Sequence, residues 1–179
     1  LQIGYGGIPD AVVMQLTDKR DLGIHTEMVG DGIMALVEAG VVTNRRKNYH
    51  HGKMLATFAL GSKKLYQFMN RNPALEMHPV DFTNDPFLAG QNDNLHAINA
   101  PMQVDFMGQC GSESLGFTPY SGTGGQSDFV RAANRSKGGK SFIVLPSTAK
   151  NDSLSRIVPT LSLGTHVSTG KNDVNYVVT

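Results

Sequence analysis

The sequence has few of the features that mark several large classes of protein. It contains no tryptophan and a single cysteine among 179 residues, so no internal disulfide can form, as is typical of the reducing cytoplasm. No apolar run approaches the roughly 20 residues that a membrane-spanning helix needs. Lys and Arg total 16 against 15 Asp and Glu, which gives a net charge of +1. Since this balance provides no basic surface, we expect a cytoplasmic protein that binds neither nucleic acid nor a membrane.

Metal ligands and reactive thiols are also scarce. The six histidines show no metal-ligand spacing, and Cys110 stands alone, so the sequence predicts no metal site. Cys110 has no recognisable catalytic partner, and we expect a buried thiol rather than a nucleophile. We expect His50 and His51 to lie in an exposed loop, and the basic run 45–47 to be a solvated loop.

Apolar stretches alternate along the chain with stretches of helical periodicity. Predicted strands cover 22–24, 53–60, 77–82, 141–145 and 157–163, and 98–107 is predicted to be a strand or hairpin. One predicted helix begins near Pro9, and others cover 33–39, a segment around 65–69, and 127–134. Predicted turns lie at 30–32, 84–86 and 122–125. The alternation predicts an α/β fold with an open, mainly parallel sheet flanked by helices.

Both ends of the chain are apolar. Residues 1–4 and the run 174–179 have the composition of core strands. A chain rarely starts and stops inside core elements, so we expect residues 1–179 to be one internal fragment of a longer protein.

Glu27 is the most informative single residue. It follows the predicted strand 22–24 and precedes the turn at 30–32. In an open α/β sheet, ligands bind outside the carboxyl ends of the strands. Glu27 is therefore either a solvated loop residue or a carboxylate placed at a ligand site.

Two glycine-rich turns, 4–8 and 121–126, each precede a predicted helix. Backbone N–H groups at a helix start can hold a phosphate or a developing oxyanion, although the same glycines also suit a tight connection. The spacing does not match the dinucleotide-binding fingerprint. Together with Glu27, the two turns would suit a thioester substrate, since a carboxylate can attack an activated acyl carbon. Lys150, just beyond the strand 141–145, faces either phosphate or solvent.

Four segments resemble the acetyl-CoA hydrolase/transferase family, also called family I CoA-transferases. They are LGIHTEM at 22–28, QND at 91–93, SGTGGQSDFVR at 121–131 and LPSTAK at 145–150. The resemblance runs along essentially all of the chain and covers less than half of a family member. It implies a CoA-transferase-like fold, with residues 1–179 forming most of the C-terminal catalytic domain and lacking the N-terminal domain and the extreme C-terminus. Within the family, the motifs are most similar to members that exchange CoA between butyryl-CoA and acetate in anaerobic, butyrate-forming bacteria.

The resemblance also implies roles for individual residues. Glu27 would attack the acyl-CoA thioester, giving an acyl-glutamyl anhydride and then a glutamyl-CoA thioester. Asn92, or alternatively Asn94, would orient the reacting carbonyl. The residues implied to bind CoA are Gly4, Tyr5, Gly6, Gly7, Ile8, Ser121, Gly125 and Lys150. CoA is then a substrate and no cofactor is expected; the small-molecule partners would be butyryl-CoA, acetyl-CoA, acetate and butyrate, and a homo-oligomer is compatible with this interpretation.

Three other functions remain open at this point. A 4-hydroxybutyrate CoA-transferase would use the same chemistry with a more polar acyl pocket, and an acyl-CoA hydrolase would use water in place of the acceptor acid. A non-catalytic CoA-binding module would not need a carboxylate beside the thioester. Because the active-site wall is expected to include sequence outside these residues, we expect the 179 residues alone to be inactive.

Overall fold

An open sheet of parallel strands forms the centre of the protein in a computed structural model that describes residues 1–179. Four strands pair in the order β1 (Gln2–Ile3), β6 (His96–Asn99), β11 (Lys140–Val144) and β15 (Tyr176–Val178). Every pair in this sheet is parallel, with Ile3 opposite Ile98 and Phe142 opposite both Ile98 and Tyr176. The predicted α/β fold with a mainly parallel sheet is therefore confirmed.

Short elements surround this sheet. The helices are α1 (Gly7–Met14), α2 (Asp31–Glu38), α3 (Lys63–Met69), α4 (Val80–Thr83), α5 (Pro86–Ala89) and α6 (Gln126–Arg135). The remaining strands are β2 (Met28–Val29), β3 (Met54–Ala56), β4 (Phe58–Ala59), β5 (Leu75–Met77), β7 (Gln103–Asp105), β8 (Cys110–Gly111), β9 (Ser114–Leu115), β10 (Thr118–Pro119), β12 (Thr148–Ala149), β13 (Leu154–Ser155) and β14 (Ile157–Val158). None of the helices is long and apolar enough to cross a membrane.

The segment 24–27 extends the central sheet on its β1 side. The His25 N–H donates to the Leu1 carbonyl at 3.1 Å, and the Thr26 N–H donates to the Leu55 carbonyl of β3 at 3.0 Å. Strand β3 in turn pairs in parallel with β5. The extended chain segments therefore lie in the order β5, β3, 24–27, β1, β6, β11 and β15, and Glu27 emerges at the carboxyl edge.

Helices cover both faces of the sheet, because alternate residues of the central strands point to opposite sides. Ile98 packs into the main core with buried residues of α1, α2 and α3. Its neighbour Ala97 packs with Phe129 of α6, and Ile143 of β11 packs with Val130. Phe129 and Val130 are fully buried. This three-layer packing fixes the start of α6 against the carboxyl edge of the sheet.

Two predicted strands are interrupted. The segment 53–60 divides into β3 and β4, because the Thr57 N–H leaves the ladder and donates to the Glu27 carbonyl at 2.9 Å. The prediction for 77–82 is wrong: β5 ends at Met77 and α4 follows. Pro79 occupies the N-cap of α4, a position that suits a residue with no backbone N–H.

Other differences lie in connections. The predicted strand 157–163 is limited to β14, and the turn at 84–86 opens α5, whose first N–H groups are accepted by Asp85 at 2.6 and 3.2 Å. The interpretation of 45–47 as a solvated loop is wrong for Lys47, which is buried. Its ammonium group donates to the carbonyls of Ile24 and Lys53 at 2.9 and 2.7 Å, and burial lowers the pKa of Lys47 to about 8.

Candidate active site

Glu27 lies at the carboxyl edge of the sheet, held by chain segments on both sides. Its carbonyl accepts the N–H groups of Thr57 and Phe58 at 2.9 and 3.1 Å. The preceding residue, Thr26, is fully buried, and its hydroxyl lies 3.3 Å from the Ile3 nitrogen and 3.2 Å from the Ile3 oxygen. The backbone is therefore pinned while the Glu27 side chain stays half-buried and accessible.

Gly125 packs directly against the Glu27 carboxylate, although 98 residues separate them in sequence. A Cβ atom added at Gly125 would overlap Glu27 Oε2 and would lie 2.6 Å from Asn84 Nδ2. The backbone of Gly125 has φ −95° and ψ 6°, so glycine is not needed there for conformational freedom. Glycine is needed because the carboxylate and an amide occupy the space of a side chain.

Asn84 is the residue that the sequence analysis missed. It is buried, and its Oδ1 atom has no hydrogen-bond partner within the chain. The only other buried side-chain polar atom without a partner is the hydroxyl of Thr57, whose N–H donates to the Glu27 carbonyl. Unsatisfied buried polar atoms are rare and call for an explanation. Asn84 lies against Gly125 and Thr57 is bonded to the Glu27 backbone, so both unsatisfied atoms belong to residues that surround Glu27.

Both glycine-rich turns end at helix starts. Helix α1 has Gly6 at its N-cap and α6 has Gly125, and neither N-cap forms a side-chain hydrogen bond. The first N–H groups of these two helices are therefore free of side-chain caps. Such groups attract phosphate or a developing oxyanion, helped by the helix dipole.

The turn 4–8 lies beside Asn99, at the end of the adjacent strand. The Gly4 N–H donates to the Ile98 carbonyl at 2.8 Å, and a Cβ at Gly4 would lie 3.0 Å from Asn99 Oδ1. Gly6 has φ +130°, a conformation that favours glycine. Tyr5 is 73% exposed, so its ring is available to contact a bound molecule.

The remaining residues implied to bind CoA are at the surface. The exposed Ser121 side chain donates to the Gly122 carbonyl at 2.9 Å, and Lys150 is exposed with φ +52° just after β12. The structure shows no contact between either side chain and Glu27. Their roles in CoA binding stay predictions.

The Asn92 side chain is hydrogen-bonded to residues other than Glu27. Its Nδ2 lies 3.3 Å from both His25 Nδ1 and the Ala89 carbonyl, and its Oδ1 accepts the Tyr49 N–H at 3.4 Å. It lines a cavity of about 440 Å³ together with residues near the amino ends of the strands, among them Asn94. These contacts describe an amide that supports the fold, so they do not favour the catalytic role implied for Asn92 or Asn94.

Two titratable groups near the site have shifted pKa values. Burial lowers the pKa of His25 to about 3, against the raising effect of its hydrogen bond to the Thr83 carbonyl. Burial raises the pKa of Asp128 in the first turn of α6, opposed by Arg131 and by a hydrogen bond from the Asn84 amide. Away from the site, Cys110 is fully buried, as expected, and burial raises the pKa of its thiol to about 12.

Comparison with known proteins assigns a family to this arrangement. Residues 61–179 match the model of the acetyl-CoA hydrolase/transferase C-terminal domain. The chain belongs to the acetyl-CoA hydrolase/transferase family. Its backbone superimposes on the crystal structure of RipA from Yersinia pestis with a TM-score of 0.93 and 45% sequence identity, over 99% of this chain and 40% of RipA. It also superimposes on the crystal structure of 4-hydroxybutyrate CoA-transferase from Porphyromonas gingivalis with a TM-score of 0.84 and 44% identity, over 98% of this chain and 40% of that one, which confirms the predicted CoA-transferase-like fold.

Curated relatives are similar along the whole chain. The chain is 60% identical to succinyl-CoA:cyclohexane-1-carboxylate CoA transferase of Geobacter metallireducens and 53% identical to 4-hydroxybutyrate coenzyme A transferase of Clostridium kluyveri. It is 42% identical to butyryl-CoA:acetate CoA-transferase of Anaerostipes caccae. Each match covers 100% of this chain but only 41%, 42% and 41% of the relative, respectively. The chain thus spans about two fifths of the length of these relatives.

The contact between Gly125 and Glu27 predicts a large effect of a single methyl group. In the full-length parent protein, Gly125→Ala should displace the Glu27 carboxylate or the Asn84 amide and lower the kcat of the activity proposed below by about 100-fold. Gly170→Ala is the matched control, because Gly170 lies outside the site, a Cβ there meets nothing within 4 Å, and the change should leave kcat unchanged. Steady-state kinetics of both variants test this, and an unchanged kcat in Gly125→Ala would contradict the geometry described here.

Proposed function

We propose that the protein is a CoA-transferase that moves CoA between an acyl-CoA and a carboxylic acid, with Glu27 as the nucleophile. The observation that carries the proposal is the packing of the Glu27 carboxylate against Gly125 and Asn84 at the carboxyl edge of the sheet. A carboxylate, an amide and a helix N-terminus converge there. Acyl transfer needs these three kinds of group: a nucleophile, an orienting donor and a stabiliser of the oxyanion.

The proposed reaction proceeds by two exchanges at Glu27. The carboxylate attacks the thioester carbonyl, the C–S bond breaks, and an acyl-glutamyl anhydride and CoA thiolate result. The thiolate then attacks the glutamyl carbonyl, which releases the first carboxylate and leaves a glutamyl-CoA thioester. An acceptor carboxylate then attacks the glutamyl-CoA thioester, and the same steps in reverse give a new acyl-CoA and the free Glu27 carboxylate. One thioester is consumed and one is formed, so no external energy source enters the balance.

The surrounding groups have matching roles in this proposal. The Asn84 amide and the Glu27 carboxylate both border the space that a Cβ at Gly125 would fill, and in this proposal the amide would orient the carboxylate or donate to the tetrahedral intermediate. The N–H groups at the start of α6 would share that task, and the uncapped start of α1 would bind phosphate of CoA. Binding energy from the remote part of CoA would lower the barrier to the anhydride, a high-energy intermediate.

The acids exchanged belong to the finer part of the proposal. The sequence motifs favour butyryl-CoA and acetate, with butyrate and acetyl-CoA as products. The two relatives that share the highest identity reported above are named for cyclohexane-1-carboxylate with succinyl-CoA and for 4-hydroxybutyrate. We therefore keep butyryl-CoA with acetate as one candidate pair and place succinyl-CoA and 4-hydroxybutyryl-CoA beside it.

A panel of donors and acceptors tests the function. The full-length parent protein is incubated with butyryl-CoA, succinyl-CoA or 4-hydroxybutyryl-CoA, each with and without acetate, and the CoA species are separated by chromatography. We expect a new acyl-CoA only when both donor and acceptor acid are present. Glu27→Gln should lower the rate at least about a thousandfold, because it removes the nucleophile and keeps the side-chain size.

Three results would contradict the proposal. Release of free CoA at the same rate with and without acceptor acid would identify a hydrolase. Turnover retained by Glu27→Gln would remove Glu27 from the mechanism. Binding of acyl-CoA without any turnover of the wild-type protein would favour a non-catalytic module.

We propose that Asn84, rather than the Asn92 implied by the family resemblance, is the amide that acts at the site. Asn84→Ala should lower kcat by about 100- to 1,000-fold, because it removes an amide donor that lies against Gly125 beside the Glu27 carboxylate. Asn92→Ala should keep kcat near the wild-type value and lower the free energy of unfolding by about 1–2 kcal/mol, since it removes hydrogen bonds to His25 and Tyr49. Kinetics and denaturant unfolding of both full-length variants check this; the opposite pattern would restore Asn92 as the catalytic amide.

A further inference from the structure

Glu76 and His78 meet His50, which lies 26 residues before Glu76, at the edge of the sheet that carries β5. His50 Nδ1 lies 2.5 Å from Glu76 Oε2, and His78 Nε2 lies 3.3 Å from the same oxygen. One ligand atom from each residue lies within 4.8 Å of the other two. The expectation that His50 would lie in an exposed loop is wrong, since its side chain is only 23% exposed.

We propose that His50, Glu76 and His78 bind a divalent transition-metal ion of the Zn²⁺ type. The donor set is two imidazoles and one carboxylate, which suits Zn²⁺ rather than Ca²⁺ or Mg²⁺, because those two ions prefer oxygen ligands. This site would reverse the expectation that the protein holds no metal.

The backbone explains why these ligands meet. Glu76 lies in β5 and His78 follows the strand by one residue, so their side chains project from the same face. His50 has φ +49°, a left-handed conformation that is unfavourable for a residue with a Cβ. Such a conformation persists only where its surroundings hold it.

The separations are close to those of a metal site. Ligand atoms at 2.0–2.2 Å from a tetrahedral metal lie about 3.4 Å from one another. The His78–Glu76 separation already has this value, and a small outward movement of the Glu76 carboxylate would bring its distance from His50 to it. Glu76 and His78 side chains are 31% and 30% exposed, which leaves an open side for a water ligand.

Aromatic rings fix the orientation of both imidazoles. The His78 ring stacks on Phe82 with 4.5 Å between centroids and 20° between planes, and the His50 ring meets Tyr49 edge-on at 4.5 Å. Ligands held in place by their neighbours lose little freedom on binding a metal. The nearest buried cation is Lys47, whose ammonium group is already bonded to two carbonyls.

A metal ion at this place would affect the chain segment that leads from His78 to Asn84. His78 leads through Pro79 into α4, which ends one residue before Asn84. The Thr83 hydroxyl also lies 3.5 Å from the His78 carbonyl. A metal bound at His78 would therefore restrain the short segment that carries Asn84, and it would stabilise the folded protein because the unfolded chain lacks the site.

Cobalt binding tests the site without reference to enzyme activity. The full-length parent protein, without an affinity tag and stripped by a chelator, is titrated with Co²⁺ while visible absorption is recorded. We expect absorption bands of protein-bound Co²⁺ that saturate with one equivalent and disappear when Zn²⁺ is added. Zn²⁺ should also raise the unfolding temperature of the wild-type protein.

Three variants make the assignment. His78→Gln and Glu76→Gln should each weaken Co²⁺ binding at least about 100-fold, because each removes a ligand. His51→Gln is the matched control, since His51 is adjacent and exposed but outside the cluster, and it should bind Co²⁺ as the wild type does. Circular dichroism without metal verifies that each variant is folded, and His50→Asn replaces any variant that is not. Absence of Co²⁺ binding, or binding unchanged in the ligand variants, would overturn the proposal.

Discussion

The neutral, buried imidazole of His25 joins the separate chain segments that form the candidate site. Burial lowers the pKa of His25 to about 3, so the ring carries no charge at physiological pH. Its Nε2 lies 2.8 Å from the Thr83 carbonyl and therefore carries the hydrogen, which leaves Nδ1 to accept from Asn92 at 3.3 Å. Protonation would remove that acceptor and place a charge in the core, so the network requires one tautomer of one protonation state.

The same ring connects to the helix that carries the glycine turn. Phe129 of α6 meets His25 edge-on with 6.1 Å between centroids, four residues after Gly125. Thr83 lies one residue before Asn84, and Glu27 lies two residues after His25. Glu27, Asn84 and Gly125 are thus each within four residues of His25 itself or of a residue that contacts its ring. This arrangement explains how segments nearly 100 residues apart in sequence can hold a carboxylate, an amide and a glycine in contact.

Much of this architecture could be predicted from the sequence. The pattern of apolar residues predicted α2, α6 and the central strand β11. It also placed Glu27 after a strand and Gly125 before a helix, positions at which ligands bind to a parallel sheet. These features follow from local periodicity and from glycine, which act within a few residues. They agree with the three-layer packing because local preference and tertiary burial favour the same elements.

The rest depended on contacts that no local pattern contains. Asn84 and Asn92 both lie in polar segments next to turns, and only the fold shows that one amide reaches Gly125 while the other binds His25. The break in the strand 53–60 arises because Thr57 donates to the Glu27 carbonyl from a different strand. Likewise, the spacing of His50 and Glu76 does not predict that they meet, because their contact forms only when the loop before β3 folds onto β5.

Covalent labelling of Glu27 would show whether its carboxylate is the nucleophile. The full-length parent protein is incubated with acyl-CoA in the absence of acceptor acid, digested, and analysed by peptide mass spectrometry. We expect CoA to be joined as a thioester to the peptide that contains Glu27. Addition of acceptor acid should discharge that adduct as a new acyl-CoA. Turnover with no adduct at Glu27, or an adduct on another residue, would contradict the role of Glu27 as the nucleophile.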